Sequence, residues 1–372
     1  MRGDRISFRG GPQVDMALLL TMVEILTLGL VNLYSATSVY VENVQKARLA
    51  DIYVSQIYWI VVGTLLAILA AAIDYRHFER LAILSYCAGL VALGLVFILG
   101  GDIRGARRWI EIGSFQFQPS EFMKIVLILA IARLLHNDPK TEPRTLLDLA
   151  KPGAVLALPV MAVMAQPDLG TATLYVLITG SMLAMTKIKR SSLLILIGTS
   201  TAIVTFGWQY ILLPYQKARV TSFLNPEADK SGTGWHALQS QTAIGNGQLF
   251  GEGYMQGTQN QFKFLPDQYS DFPFSVFAED WGLVGATVLL SLDCVACVWA
   301  IHVASQAKDR FGAALAVGVG AMLFWHTICN VGMATGMLPV VGITLPLFSY
   351  GGSNVVTMMI GLGLLMNVSM RR

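Results

Sequence analysis

Apolar runs long enough to cross a bilayer recur through this chain, and that recurrence limits its fold more than any other feature. A hydrocarbon core about 30 Å thick takes roughly 20 helical residues. Windows of that length mark segments near 15–35, 52–73, 80–100, 119–136, 153–166, 171–186, 191–213, 273–300, 311–335 and 351–370. The expected fold class is therefore an all-α integral membrane protein of about ten transmembrane helices. The fifth and sixth segments are short and joined only by Gln166-Pro167-Asp168-Leu169-Gly170, so a tilted or broken pair is expected there.

Composition agrees. Charged residues make up 13% of the chain, against roughly 25% in soluble domains, and so few charges cannot solvate a surface. The missing polar boundary must be lipid. No polar stretch is long enough for a separate domain, so residues 1–372 are expected to form a single membrane domain. A net charge of +3 is too small to argue for nucleic acid as a partner. Arg2, Arg5 and Arg9 precede the first run and no small-residue cleavage site follows it, which reads as a retained helix.

Loop charge sets the expected orientation. With the N-terminus cytoplasmic, inside segments hold Arg76, Arg80, Lys140, Arg144, Lys187, Lys189, Arg190, Lys308, Arg310, Arg371 and others. Outside segments hold fewer cations although they are longer. Both termini are thus expected inside. The outside cations are clustered, which suggests a ligand on that face. Residues 214–272, between helices seven and eight, form the longest connection. Its Trp235, Phe250, Tyr254, Phe262, Phe264, Leu265 and Tyr269 predict a packed cap or interfacial segments instead of disorder.

Three places put charge where a membrane protein should avoid it. Pro119 and Ser120 mark a helix start, and Glu121 and Lys124, three apart, share a helix face and can pair. That pair serves either a cavity holding a lipid headgroup or helix packing. Arg104, Arg107 and Arg108 around a Gly-Ala turn suit phosphate oxygens, and Trp109 offers a face to a sugar or an interfacial anchor. Tyr269-Ser270-Asp271-Phe272-Pro273 ends the long loop. Asp271 there is either the cap of the next helix or a general base at its outer mouth.

Other patterns carry nothing. Cys87, Cys294, Cys297 and Cys329 lie in apolar runs, and Cys294-x-x-Cys297 lacks a redox fold around it. The five histidines show no metal-ligand spacing. Gly245-x-Gly247 and Gly251-x-Gly253 lack a strand–helix context, and there is no Walker A sequence. Glu24 and Asp293 are intramembrane acids and hence suspects for function, without an assigned partner.

Four stretches resemble the SEDS (shape, elongation, division and sporulation) family. They are Gly105–Lys124 (GARRWIEIGSFQFQPSEFMK), Gln166–Thr171, Lys217–Asp271 with its GTQNQFKFLPDQYSD ending, and Asn330–Ser353 (NVGMATGMLPVVGITLPLFSYGGS). Gly257–Gln261 before Phe264-Leu265-Pro266 is more similar to the elongation branch, RodA, than to the division branch, FtsW. Tyr269 and Ser270 stand where His-Thr is usual, and Pro273 and Trp281 also depart, while the aspartate is retained.

The resemblance implies a peptidoglycan glycosyltransferase that polymerises lipid II into β-1,4-linked glycan on the outer face of the bacterial cytoplasmic (inner) membrane during elongation, releasing undecaprenyl pyrophosphate. It implies that Asp271 is catalytic, taking the proton from the GlcNAc 4-hydroxyl. Arg104, Arg107, Arg108, Lys217, Arg219 and Lys263 become candidates for the pyrophosphate, with Trp109 for substrate contact. A class B penicillin-binding protein (a transpeptidase) and other elongation-complex membrane proteins are the implied partners. No dedicated metal cage is visible; a divalent cation is left open. The competing expectation is a lipid II flippase, with Glu121, Lys124 and Asp168 lining the path. The elaborate outside loop and the absence of a visible inverted repeat weigh against it.

Overall fold

The computed structural model describes residues 14–38, 43–103, 106–112, 115–138, 140–210, 212–229, 232–265 and 267–372. Helices dominate. In chain order the long apolar ones are α1 (Met16–Thr37), α2 (Asn43–Ala72), α3 (Tyr75–Leu99), α4 (Pro119–Asn137), α5 (Leu146–Ala165), α6 (Leu169–Ala184) and α7 (Arg190–Tyr210). Three short helices follow, α8 (Pro214–Leu224), α9 (Thr233–Asn246) and α10 (Thr258–Gln261). The chain closes with α11 (Pro273–Gln306), α12 (Arg310–Ala334) and α13 (Gly352–Met370).

Eight of the described helices are long and apolar enough to cross a membrane. The expected fourth and sixth segments are helices of a different character. α4 carries Glu121, Lys124 and Arg133 within 19 residues, and α6 has only 16. Both pack against α12; α4 is buried along most of its length, while α6 keeps an exposed strip through Thr173, Val176 and Gly180. Burial separates centre from edge: 72% of the apolar window of α12 and 83% of that of α13 are buried, against 11% for α7. The α7 surface is therefore lipid-facing, and its even coat of Leu, Ile and Val fits that place.

Two features were not expected. One is a three-stranded antiparallel sheet of β1 (Gly100–Ile103), β2 (Ala106–Ile112) and β3 (Phe115–Phe117), in the order β1-β2-β3. Ile110, Ile112, Phe115 and Phe117 alternate with Glu111 and Gln116, the period of two that a strand requires. The second is a break in α11 at Gly282, whose φ of 66° is open to glycine and strained for other residues. The loop before α11 fills the gap. Glu252 and Gly253 donate to the carbonyls of Glu279 and Asp280 (2.9 and 3.2 Å), and Leu283 and Val284 donate to those of Gln248 and Leu249 (2.9 and 3.1 Å). Irregular backbone at membrane depth is tolerated when protein satisfies it in this way.

At the other end of the bundle Asp15 clasps three helices. Its Oδ2 accepts from Trp299 Nε1 (2.8 Å, α11), Ser369 Oγ (2.6 Å, α13) and Arg372 (3.3 Å), and Leu18 N donates to Oδ1 at 3.4 Å. Desolvation opposes the charge, but these donors outweigh it and hold the carboxyl below its ordinary range. A depressed carboxyl stabilises the fold above its unfolded pKa and ceases to as pH falls through the folded one. Asp15→Asn is expected to cost about 1–3 kcal/mol at neutral pH. The difference from the parent should shrink only well below pH 4. Melting of the two proteins across pH in one detergent checks this; an unchanged melting temperature at pH 7 would count against the clasp.

Candidate active site

The face opposite the Asp15 clasp gathers the ends of α1, α4, α6, α9, α11, α12 and α13. Asp271 lies there in a turn whose Ser270 and Asp271 amides both donate to Asp267 O, at 3.1 and 3.0 Å. It does not cap α11. Phe272 occupies the cap position without a side-chain cap hydrogen bond, and Pro273 supplies the first turn. Phe272 is buried with Phe274, Phe277 and Phe348, so the residue after Asp271 anchors the turn by packing. Asp271 itself is half-buried.

What holds Asp271 comes from the far end of the sequence. Asn330, fully buried on α12, donates from Nδ2 to Asp271 O at 2.9 Å and to Ile343 O at 2.7 Å. Tyr350 N donates to Tyr269 O at 2.8 Å, and the two rings meet edge-on at 5.9 Å. Burial, then the neighbouring Tyr269, pushes the Tyr350 phenol up, keeping it protonated. Asp271 Oδ2 packs over Gly342, whose φ is 76°; a Cβ there would sit 3.5 Å from that oxygen. The segment between α12 and α13 is thereby one wall of the site.

Glu279 and Asp280 on α11 organise the other wall. Gln259 and Asn260, in the first turn of α10, donate their amides to Glu279 Oε1 and Oε2 at 2.9 and 3.2 Å. Ser35 Oγ donates to Asp280 Oδ2 at 2.5 Å. Asn260 reaches Ser35 O (3.2 Å), and Gln268 reaches Asn260 Oδ1 and Ala36 O (2.9 and 2.7 Å). The long loop is thus a packed cap: α9 lies on α11, with Ser240 Oγ 2.6 Å from both Ser275 Oγ and Ala334 O.

Glu121 and Lys124 pair at 2.7 Å, both buried. They have company that i,i+3 spacing does not reveal. Lys124 Nζ lies 2.9 Å from His326 Nε2, and Asn354 Nδ2 donates to Glu121 Oε2 at 2.8 Å. His326 Nδ1 faces Thr344 O at 3.0 Å. With Nδ1 donating to that carbonyl, Nε2 accepts from the ammonium, so the network runs from α4 to the same 336–351 wall. The two buried charges are thus paired and hydrogen-bonded, as a buried pair requires, while Asn354 Oδ1 is left without a hydrogen-bond partner.

The expected cations divide. Arg104 lies outside the described residues. The β1–β2 register slips at Arg108, which is left without a strand partner between Arg107, opposite Asp102, and Trp109, opposite Gly101. Arg107 is exposed and Trp109 half-buried. Arg108 donates through Nε to Gln166 O (3.2 Å) and through Nη2 to Pro167 O, with Asp168 Oδ1 3.9 Å from Nη1. Asp168 caps α6 through Thr171 N and Oγ1, at 3.2 and 2.9 Å. Lys217 and Arg219 lie on α8, Lys217 reaching Gln209 O at 3.4 Å, and Lys263 is exposed after α10. Glu24 is exposed on α1, and Asp293 is buried in α11. Among the described residues no three His, Cys, Asp or Glu side chains are placed to share a metal ion.

Sequence reasoning missed His326, Asn330, Asn354, Glu279 and Asp280. Polar residues inside apolar runs were the available signal.

A helical bundle with a paired charged core and a buttressed carboxylate turn at one face defines a multi-pass membrane protein with its polar machinery concentrated at that face. The chain belongs to the FtsW/RodA/SpoVE family, described as a cell cycle protein family, whose model matches residues 16–372. It is 34% identical over 359 residues to the peptidoglycan glycosyltransferase MrdB of Escherichia coli K12, covering 96% of this chain and 94% of that one. Peptidoglycan glycosyltransferase RodA of Treponema pallidum is 32% identical over 435 residues, covering 98% and 99%. A solved structure concerning the coordination of polymerization and crosslinking by a peptidoglycan synthase complex superposes with a TM-score of 0.81 at 31% identity, over 96% of this chain and 97% of that one. The crystal structure of Thermus thermophilus RodA superposes with a TM-score of 0.69 at 28% identity, over 96% of each chain.

Proposed function

We propose that this chain is a peptidoglycan glycosyltransferase that polymerises lipid II into β-1,4-linked glycan at the outer face of the bacterial cytoplasmic membrane, with both termini in the cytoplasm. The observation that carries the reading is Asp271, buttressed by Asn330 and Gly342 at the mouth of α11, in a chain whose relatives bear that activity in their names. Asp271 takes the proton from the GlcNAc 4-hydroxyl of one lipid II. The oxygen attacks the anomeric carbon of MurNAc on the growing strand, inverts it, and expels undecaprenyl pyrophosphate. Charge grows on that leaving group, and preorganised cations lower the barrier. Arg104, Arg107, Lys217, Arg219 and Lys263 are proposed for this task. Arg108 joins them while holding the 166–168 turn, and Trp109 offers its ring to a sugar. A class B penicillin-binding protein would crosslink the product, within a set of elongation-complex membrane proteins.

The flippase alternative needs Glu121 and Lys124 free to meet a moving headgroup. Their bonds to each other, His326 and Asn354 favour a fixed role instead. The deciding experiment gives lipid II to the purified chain with its transpeptidase partner, the partner's crosslinking serine disabled. Glycan strands are the expected product. No strands, together with movement of labelled lipid II across vesicles, would replace the enzyme with a transporter.

Asn330→Ala should lower the polymerisation rate about 100-fold, the usual cost of misplacing a reacting group by an ångström, while lipid II binding changes little. Single-turnover rates and binding measured on the same preparation check it. A rate within threefold of the parent would show that Asn330 does not position Asp271.

A further inference from the structure

The face opposite Asp271 holds a cavity of ≈ 380 Å³, between the C-terminal ends of α4 and α6 and the N-terminal end of α12. α12 places it: Arg310 begins that helix and Asn330 lies 20 residues on, which at 1.5 Å per residue is about 30 Å away, the thickness of a bilayer core. The cavity therefore sits where the bundle meets the other leaflet.

Its walls have two chemistries. Lys140, Arg144, Lys187 and Arg310 line it, against the carboxylates of Asp138 and Glu142. Leu135, Met185 and Ala314 form an apolar side toward the bundle. Arg144 is buried at 5% exposure and rigidly held. Its amide donates to Lys187 O (2.8 Å) and its carbonyl accepts from Lys189 N (3.0 Å), which clamps the α4–α5 connection to the α6–α7 connection. Its guanidinium gives Asp138 two bonds, at 2.6 and 2.9 Å, out of five donors. Lys140 is matched by Asp148 at 2.6 Å. Among the described residues Lys187 and Arg310 have no carboxylate in ion-pair range. Two uncommitted cations and a preorganised guanidinium, beside an apolar wall at the bilayer surface, match one kind of ligand: a phosphate with an apolar body attached.

We propose that this cavity binds the phosphate of an anionic phospholipid headgroup from the leaflet opposite Asp271. Arg144 and Arg310 take the phosphate oxygens, Lys187 adds charge, and the apolar wall receives the glycerol and the first acyl carbons. The proposal stands independently of the glycosyltransferase reading, because no residue of the Asp271 face enters it.

The test is native mass spectrometry of the full chain titrated with phosphatidylglycerol or phosphatidylcholine, with inorganic phosphate as a third arm. The parent should retain phosphatidylglycerol preferentially. The Lys187→Ala/Arg310→Ala double variant should lose about fivefold per cation, roughly thirtyfold in all. Lys151→Ala, a cation of the same face that does not line the cavity, should bind as the parent does. No lipid preference in the parent, a preference kept by the double variant, or equal loss in Lys151→Ala would each overturn the site. Competition by millimolar inorganic phosphate alone, with no gain from the lipid body, would overturn the phospholipid and leave a free-phosphate site.

Discussion

Asp271→Asn is expected to lower lipid II polymerisation by about 10²–10⁴-fold, the range supplied by a positioned general base. The substitution is close to isosteric and leaves the backbone contacts in place. The Asp271 amide still donates to Asp267 O, and its carbonyl still accepts from Asn330. Folding and lipid II binding should therefore persist while the chemical step fails, so the loss falls on the turnover rate and not on affinity. The measurement is glycan strand formation with the disabled transpeptidase partner present, beside a melting curve of the same sample. Polymer at the parent rate from the variant would keep the enzyme and remove Asp271 from its centre.

The second large effect is on stability. Lys124→Met removes the ammonium that joins Glu121 to His326 and leaves the Glu121 carboxylate buried with Asn354 as its one remaining donor among the described residues. Stranding a buried charge costs about 3–5 kcal/mol. Lys124→Met/Glu121→Gln should recover much of that, because a neutral amide needs no counter-charge, and the double-mutant cycle isolates the coupling. Yield of monodisperse protein and melting temperature in one detergent report it. Single variants as stable as the parent would mean that water or lipid already compensates these charges. Since the network reaches Thr344 through His326, partial loss of polymerising activity should accompany the instability.

Much of this was legible before the structure. About ten transmembrane helices were expected; each apolar segment overlaps a helix, and eight of the described helices are long and apolar enough to cross, because a membrane turns a count of consecutive apolar residues into a geometric requirement. The start of α4 at Pro119 and the Glu121–Lys124 pair follow from local rules of helix entry and spacing. The aromatic content of 214–272 announced a packed cap. The β1–β3 sheet was missed since its alternation spans only a few residues and is interrupted by a register slip at Arg108.

The sequence by itself determined that this chain lives in a membrane, roughly where its helices lie, and which carboxylate ends the long loop. These are properties of contiguous residues, and contiguous residues are what a period or a window measures. Only the tertiary structure decided what surrounds Asp271 and Lys124. Asn330 lies 59 positions from Asp271, His326 lies 202 from Lys124, and Asn354 lies 233 from Glu121. A hydrogen bond is satisfied by proximity in space, so a polar residue inside an apolar helix signals that a partner exists without saying which. Packing of α12 and α13 against α4 and α11 made that choice.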